Sequence, residues 1–254
     1  MVKFSRRVCQ FYDNDSNPNM FTNGEFRLLK LIAKSLDQNK VILDVGANVG
    51  SWSLAVRQAG LTSHIYAFDP LKKNVSQFEA LLPQLQKASI HCFGLSDANS
   101  QSEFFVNEDA AKSGHDSIYD MHAIGYTDET SKLSIDLRTL DSVVAELGIG
   151  FASFMKIDVE GHELRVLKGA ESTIRDGKID FVQFEFGHAA KVSRVFLYDF
   201  VSFFSLYNYR LFVIKPKGVE LLRYSPWIEN RYSYGNFLAI SPLVGSDLIE
   251  RISL

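Results

Sequence analysis

Apolar positions in this chain fall into short solid runs separated by stretches of helical period. The runs are Val41-Ile-Leu-Asp-Val45, Ile65-Tyr-Ala-Phe68, Ser89-Ile-His-Cys-Phe-Gly-Leu95, Phe154-Met-Lys-Ile157 and Ile179-Asp-Phe-Val-Gln-Phe-Glu-Phe186. Their length and composition suit strands buried on both faces of a parallel sheet. Between them, apolar residues recur every three or four positions, as in Gly24–Leu36 with Phe26, Leu29, Leu31, Ile32 and Leu36. Ser51–Arg57, Lys72–Leu82, Leu140–Leu147 and the segment with Leu164, Val166 and Leu167 read the same way, as amphipathic helices. In Lys191–Tyr207, the stripe Val195, Phe196, Phe200, Phe203 and Leu206 predicts the core face of one long helix. Arg210–Ile214 and Asn236–Ile240 close the chain as two strands joined by a turn at Pro216-Lys-Gly218. Alternating strands and helices predict an α/β fold with helices on both faces of the sheet. A closing strand pair with no helix between makes the last strand antiparallel.

The pattern loosens in one place. Between about residues 99 and 138 only Ser102–Val106 and Leu133–Leu137 look like strands, and Asn107–Ser131 is polar. That stretch holds His115, Asp116, Ser117, Tyr119 and His122. A compact domain rarely keeps so long a connection without a use, so it reads as a substrate-side insertion with Ser117 and Tyr119 as acceptor contacts. A plain surface loop is the alternative. Residues 1–40 form a lead-in, with a turn-rich loop at Tyr12–Asn19 and a helix of the kind that caps a cleft; 41–254 form the main domain.

Composition narrows the class of partner. With 46% hydrophobic and 22% charged residues the chain is of ordinary soluble type. A formal charge of −3 lacks the basic footprint that nucleic-acid binding requires. Cys9 and Cys92 make no metal-ligand spacing, and Cys92, inside an apolar run, is expected to be buried. Arg6-Arg7 precede no apolar leader region, and no run reaches transmembrane length. The expectation is a soluble, cytoplasmic protein with no membrane span, acting on a small-molecule or glycan acceptor; the oligomeric state stays open, a homo-oligomer included.

The first chemical signal is Asp44-Val-Gly46-Ala47-Asn48-Val-Gly50, set between a strand and a helix. Asn48 occupies the second glycine position of the dinucleotide fingerprint, so that pattern fails and the form is D-x-G-x-N-x-G. Glycine in such a turn accepts positive φ and lets a ligand approach bare backbone. Asp69 ends the next strand, where an acid would meet ribose hydroxyls. The chain here resembles the class I S-adenosylmethionine-dependent methyltransferases. The resemblance implies a Rossmann-like seven-stranded sheet of order 3-2-1-4-5-7-6 with strand 7 antiparallel. It implies S-adenosylmethionine as cofactor, with Asp44, Gly46, Ala47, Asn48, Gly50, Asp69, Ser96, Asp97 and Asp158 around it; Ser96-Asp97 would meet the adenine, a plain turn former being the alternative for Asp97.

The second signal is Lys156-Ile-Asp158-Val-Glu160-Gly161-His162-Glu163, followed by Leu167-Lys-Gly-Ala170. This block resembles the signature of the FkbM family of methyltransferases, and the likeness extends from about Gly24 to Pro242. Asp69 stands where that family often has Glu. Ligands in parallel sheets lie over the carboxyl ends of strands, which puts Gly46, Asp69, Asp97, Asp158 and Glu185 on one rim. Methyl transfer to oxygen needs an aligned acceptor and a proton acceptor. The resemblance places Asp158 nearest the transferred methyl. Glu160 either holds an acceptor hydroxyl or closes the turn, Glu185 faces the acceptor, and Glu163 favours the helix dipole. His162 suits a base by its ordinary pKa but occupies a variable position of the signature; His188 is a second candidate base. Asp158, Glu160 and Glu185 are also compatible with Mg²⁺, although sequence supplies no ligand geometry and no metal ligand is assigned.

The leading expectation is O-methylation of a sugar, glycan or polyketide-like hydroxyl. N-methylation of an amine or peptide and an idle S-adenosylmethionine-binding partner protein are the alternatives. A nicotinamide enzyme lacks its glycine spacing and any Tyr-x-x-x-Lys pair; a DNA methylase lacks Asp/Asn-Pro-Pro-Tyr and a Pro-Cys nucleophile.

Overall fold

A computed structural model describes residues 17–107, 115–125, 130–227 and 234–254. Cys9, the Arg6-Arg7 segment, residues 12–16 of the turn-rich loop and parts of the polar stretch lie outside the described residues. At the centre is β1 (Val41–Val45), flanked by β2 (Ile65–Phe68) on one side and β7 (Ala152–Ile157) on the other, both parallel to it. Beyond β2 lies β3 (Ala88–His91); beyond β7 come β8 (Ile179–Phe186), β11 (Gly235–Ile240), β9 (Arg210–Lys215) and β10 (Gly218–Leu221). β11 runs antiparallel to both β8 and β9. The order 3-2-1-4-5-7-6 is thus present, with β10 as an eighth strand at the edge. The turn at Pro216 leads into β10, so it makes a hairpin within the edge and does not join the last two core strands.

Successive strand residues point to opposite faces, and the two cores follow that alternation. Ile42, Phe154, Phe181 and Leu238 face one layer, formed by α1 (Glu25–Ala33), α2 (Ser51–Gln58), α3 (Lys72–Leu85) and α9 (Ser246–Ile252). Leu43, Met155, Val182 and Ala239 face the other, formed by α4 (Leu140–Glu146), α5 (Glu163–Gly169), α6 (Glu171–Arg175), α7 (Ala190–Ser193) and α8 (Leu197–Leu206). The lead-in helix α1 is part of the first layer, and Pro18 just before it lines the cleft described below. Leu28, Leu29 and Ile32 are buried in the first layer, where α1 packs on α9, β9 and β10.

The predicted strand Ser89–Leu95 divides. β3 ends at His91, the Phe93 amide bonds back to the His91 carbonyl at 3.1 Å, and Gly94–Leu95 (β4) leaves the main sheet. It joins a second sheet, order β4-β6-β5, in which β5 (Ser100–Asn107) and β6 (Thr130–Arg138) pair antiparallel over eight rungs. The insertion is thus more regular than its polar sequence suggests. Its inner face carries Phe104, Val106, Ile135 and Leu137, packed with Leu71.

Two burial expectations fail. Cys92 is exposed, at the kink where the chain changes sheets. The helix expected over Lys191–Tyr207 breaks at Arg194, whose φ is +57°, and restarts at Leu197 after an extended Phe196. Asp199 holds that start by accepting the Phe196 amide at 2.8 Å. The restart rotates the buried stripe: Leu197, Phe200, Phe203 and Phe204 are buried, while Phe196 and Leu206 are 47% and 73% exposed.

Candidate active site

The carboxyl ends of β1, β2, β7 and β8 open into a cleft of about 640 Å³, roofed by the insertion. One half is lined by Gly46, Asn48, Asp69, Leu71, Asn74, Leu95, Phe104, Ile135 and Leu137. The other holds Asp158, Glu160, His162, Glu185, His188 and Tyr234. Residues His115, Asp116 and Ile118 reach in from the roof.

The glycine turn is closed by backbone bonds, two of them to the end of β2. Gly46 (φ +79°) and Ala47 both donate to the Phe68 carbonyl at 3.0 Å, and Gly50 donates to Ala47. A Cβ on Gly46 would lie 1.9 Å from the Asp158 carbonyl, so the missing side chain is required by the neighbouring strand end. Polar recognition passes to side chains. Asp69 accepts from the Asn48 amide at 3.0 Å, the Leu71 amide at 2.9 Å and Asn74 Nδ2 at 3.1 Å. Burial pushes its carboxyl up to about 6 despite those bonds. Asn48 Oδ1 is buried without a hydrogen-bond partner, an acceptor that calls for a hydroxyl or ammonium donor.

Asp44, Ala47 and Gly50 lie behind the cleft lining. Asp44 is fully buried, accepting from Ser53 Oγ at 2.6 Å, and burial raises its carboxyl although Lys156 opposes the shift. It ties the turn to α2 from behind. Gly50 (φ +86°) packs on Phe78, where a Cβ would meet the ring at 2.8 Å.

The acidic turn between β7 and α5 is built from its own residues. Glu160 takes a left-handed φ of +51°, and buried Glu163 Oε1 accepts the amides of Val159 and Gly161, both at 3.1 Å. Glu163 thus closes the turn, and burial pushes its carboxyl up to about 8. Buried Lys156 donates to Asp158 Oδ2 at 2.6 Å. Burial alone would lower the ammonium, yet Asp158, Asp44 and Glu25 hold it above its ordinary value. Asp158, Glu160 and Glu185 bring carboxylate oxygens within 4.8 Å of one another. Burial and then that crowding push Glu185 well above the usual carboxylate range, and Tyr234 hydrogen-bonds it. Glu160 is raised by burial and lies 3.5 Å from His115 Nδ1; this contact raises the imidazole.

His162 is enclosed. Ser96 Oγ donates to Asp97 Oδ1 at 3.1 Å and lies 2.9 Å from His162 Nε2, and Tyr119 Oη lies 3.3 Å from Nδ1. A serine hydroxyl has one proton, so Nε2–H donates to Ser96 and Nδ1 accepts from Tyr119. Burial pushes the imidazole down to about 4. Ser117 Oγ donates to the Glu160 carbonyl at 2.7 Å. Ser117 and Tyr119 therefore clamp the insertion onto the acidic turn, outside the cleft lining. Ser96 and Asp97 also stand outside it; Asp97 is ion-paired with Arg165. His188 lines the cleft with Nδ1 3.2 Å from Lys191 Nζ. His115 and Asp116 come from the stretch read as the substrate side, whereas Asn74 and Tyr234 join the site without a prior sign in any motif.

A family profile described as the Methyltransferase FkbM domain matches residues 44–211, more than half of the chain. The chain belongs to the FkbM methyltransferase family. Hexuronic acid methyltransferase AglP of Haloferax volcanii is 24% identical over 65% of this chain and 64% of its own length. 2-O-methyltransferase NoeI of Sinorhizobium fredii is 19% identical over 72% of this chain and 78% of its own. AMB antimetabolite synthetase AmbE of Pseudomonas aeruginosa is 30% identical over 54% of this chain, a match spanning only 8% of that much longer protein. The matched regions span less than two thirds of the length of two of these relatives, AmbE and AglP, and the β-order of this chain is that of the expected sheet. No helix among the described residues is long and apolar enough to cross a membrane.

Proposed function

We propose that this FkbM-family protein is an S-adenosylmethionine-dependent O-methyltransferase acting on a sugar hydroxyl. The observation that carries the reading is the divided cleft: Asn48 and Asp69 face one half, and three crowded carboxylates face the other. S-adenosylmethionine supplies an electrophilic methyl on a sulfonium. Asp69 Oδ2, which accepts only the Asn48 amide, has one lone pair left for a ribose hydroxyl, and the orphaned Asn48 Oδ1 suits a ligand donor. The names of the two smaller relatives, a hexuronic acid methyltransferase and a 2-O-methyltransferase, favour a carbohydrate acceptor.

Glu160 receives the acceptor proton. Burial raises its carboxyl above the ordinary value, which strengthens it as a base, and half-exposed His115, with Nδ1 3.5 Å away, links it to solvent. Asp158, held by Lys156, and Glu185, which Tyr234 hydrogen-bonds, orient the hydroxyl. His162, with both nitrogens engaged, positions the turn. The three acids also form a hard oxygen set that fits Mg²⁺ in its chemistry. With Lys156 already serving Asp158, we assign the cluster to proton sharing. Full loss of activity in chelator, restored by Mg²⁺, would overturn that assignment.

The test is calorimetry with S-adenosylmethionine and S-adenosylhomocysteine, then methyl transfer to uronic-acid and neutral glycans. Glu160→Gln should keep cofactor affinity and lower kcat about 10²- to 10⁴-fold. Absence of binding to both sulfur ligands would remove the cofactor reading, and binding without transfer to any acceptor would favour the idle partner-protein alternative. Equal transfer to amines would move the reaction to nitrogen.

A further inference from the structure

The residue that resemblance assigns to the adenine is not in the cleft. Asp97 is turned onto Arg165, and neither it nor Ser96 belongs to the lining. Apart from Asn74, whose Nδ2 donates to Asp69, the wall beyond Asp69 is apolar, made of Leu71, Leu95, Phe104, Ile118, Ile135 and Leu137. Such a wall suits a flat ring but leaves the ring's polar edge unread. One charged group interrupts it.

Asp116 lines the cleft beside Ile118 and is only 9% exposed. It is held from two sides. Oδ1 accepts from the Asn107 amide at 2.8 Å and from Asn107 Nδ2 at 3.2 Å; Oδ2 accepts from Lys73 Nζ at 3.0 Å. Lys73 belongs to the first turn of α3, directly after Asp69-Pro70-Leu71, so Asp116 sits on the nucleoside side of the cleft. Its effect on Asp69, whose carboxyl it helps to raise, agrees with that placement. A carboxylate oxygen can accept in more than one direction, so acceptor capacity remains after these bonds.

We propose that Asp116, from the insertion, reads the exocyclic amine of the adenine of the bound cofactor. This rests on the S-adenosylmethionine reading and deepens it. The amine donates to Asp116 while the ring lies against the apolar wall, and specificity for adenine over other bases comes from the insertion rather than from the end of the third strand. A base with a carbonyl at that position would set oxygen against oxygen and be rejected.

The experiment compares S-adenosylhomocysteine with S-inosylhomocysteine, which replaces that amine by oxygen, in calorimetry on the full chain. Wild type should prefer the adenine ligand about 10- to 100-fold, the range for a hydrogen bond to a charged group. In Asp116→Ala the preference should fall to within about threefold, and Asp116→Asn, which retains an acceptor, should recover part of it. Asp97→Asn should keep the full preference. Equal binding of both ligands by wild type overturns the proposal without any variant, as does loss of preference in Asp97→Asn alone. If wild type binds neither ligand, the cofactor reading itself falls; binding of both without discrimination removes only Asp116.

Discussion

Asp69 illustrates how one side chain serves fold and ligand together. Its three protein hydrogen bonds join the glycine turn to the start of α3, and the same carboxylate lines the cleft. Asp69→Ala should weaken S-adenosylhomocysteine binding by about 1.5 to 3 kcal/mol, the range for hydrogen bonds to a charged group. Unchanged affinity in calorimetry would take Asp69 out of the ribose site. His162 makes the opposite point: its ordinary pKa advertises a base, but burial and two partners keep it neutral. Its pKa falls from 6.5 to about 4 on folding, so the unfolded chain binds the proton more readily. The stability this contributes is present above pH 6.5 and is lost as pH falls toward 4, amounting to about 3 kcal/mol. Urea unfolding between pH 7 and 4.5 should show wild type losing stability relative to His162→Gln; parallel pH profiles would contradict this. Lys156 and Glu163 were legible as members of a signature. Their tasks, a counter-ion for Asp158 and a clasp on the acidic turn, were not, because both depend on which backbone groups fold back within reach.

At the scale of elements, the Leu167-Lys-Gly-Ala170 block explains itself by packing. A Cβ on Gly169 would stand 1.9 Å from the Ser96 carbonyl, so α5 can approach the β4 loop only with glycine there. Alanine would gain about 1 kcal/mol in helix propensity, but overpacking against rigid backbone costs about 1 to 3 kcal/mol. Gly169→Ala should therefore be destabilising by thermal or urea unfolding and should loosen the Ser96–His162 contact; a raised melting temperature would refute the packing argument. The same scale shows where periodicity misled. The stripe in Lys191–Tyr207 has good helical spacing, yet Arg194 breaks the helix and the restart at Leu197 buries Phe204 while exposing Phe196. Spacing within one window carries no information on where a neighbouring segment forces a break. The insertion erred the other way: its strands extend beyond their apolar centres because eight rungs of cross-strand pairing continue through polar residues.

Across the whole molecule, the sheet was readable because its cause is local. Solid apolar runs such as Val41–Val45 and Phe154–Ile157 bury both faces of a strand, and the helical period between them supplies the two covering layers. The glycine turn and the acids of β2, β7 and β8 followed from that, since strand ends in a parallel sheet share one rim. Glu160, Glu185 and Asp158 were named from sequence and meet there. What only the tertiary structure decided is the roof. Which of His115, Asp116, Ser117 and Tyr119 enters the cleft depends on Ser117 bridging to Phe105 and on Lys73, Glu160 and His162 holding its neighbours. Those partners lie tens of residues away in the chain. Local pattern therefore specified the sheet and its acidic rim, whereas long-range hydrogen bonds, which no spacing encodes, chose the side chains that face the ligand.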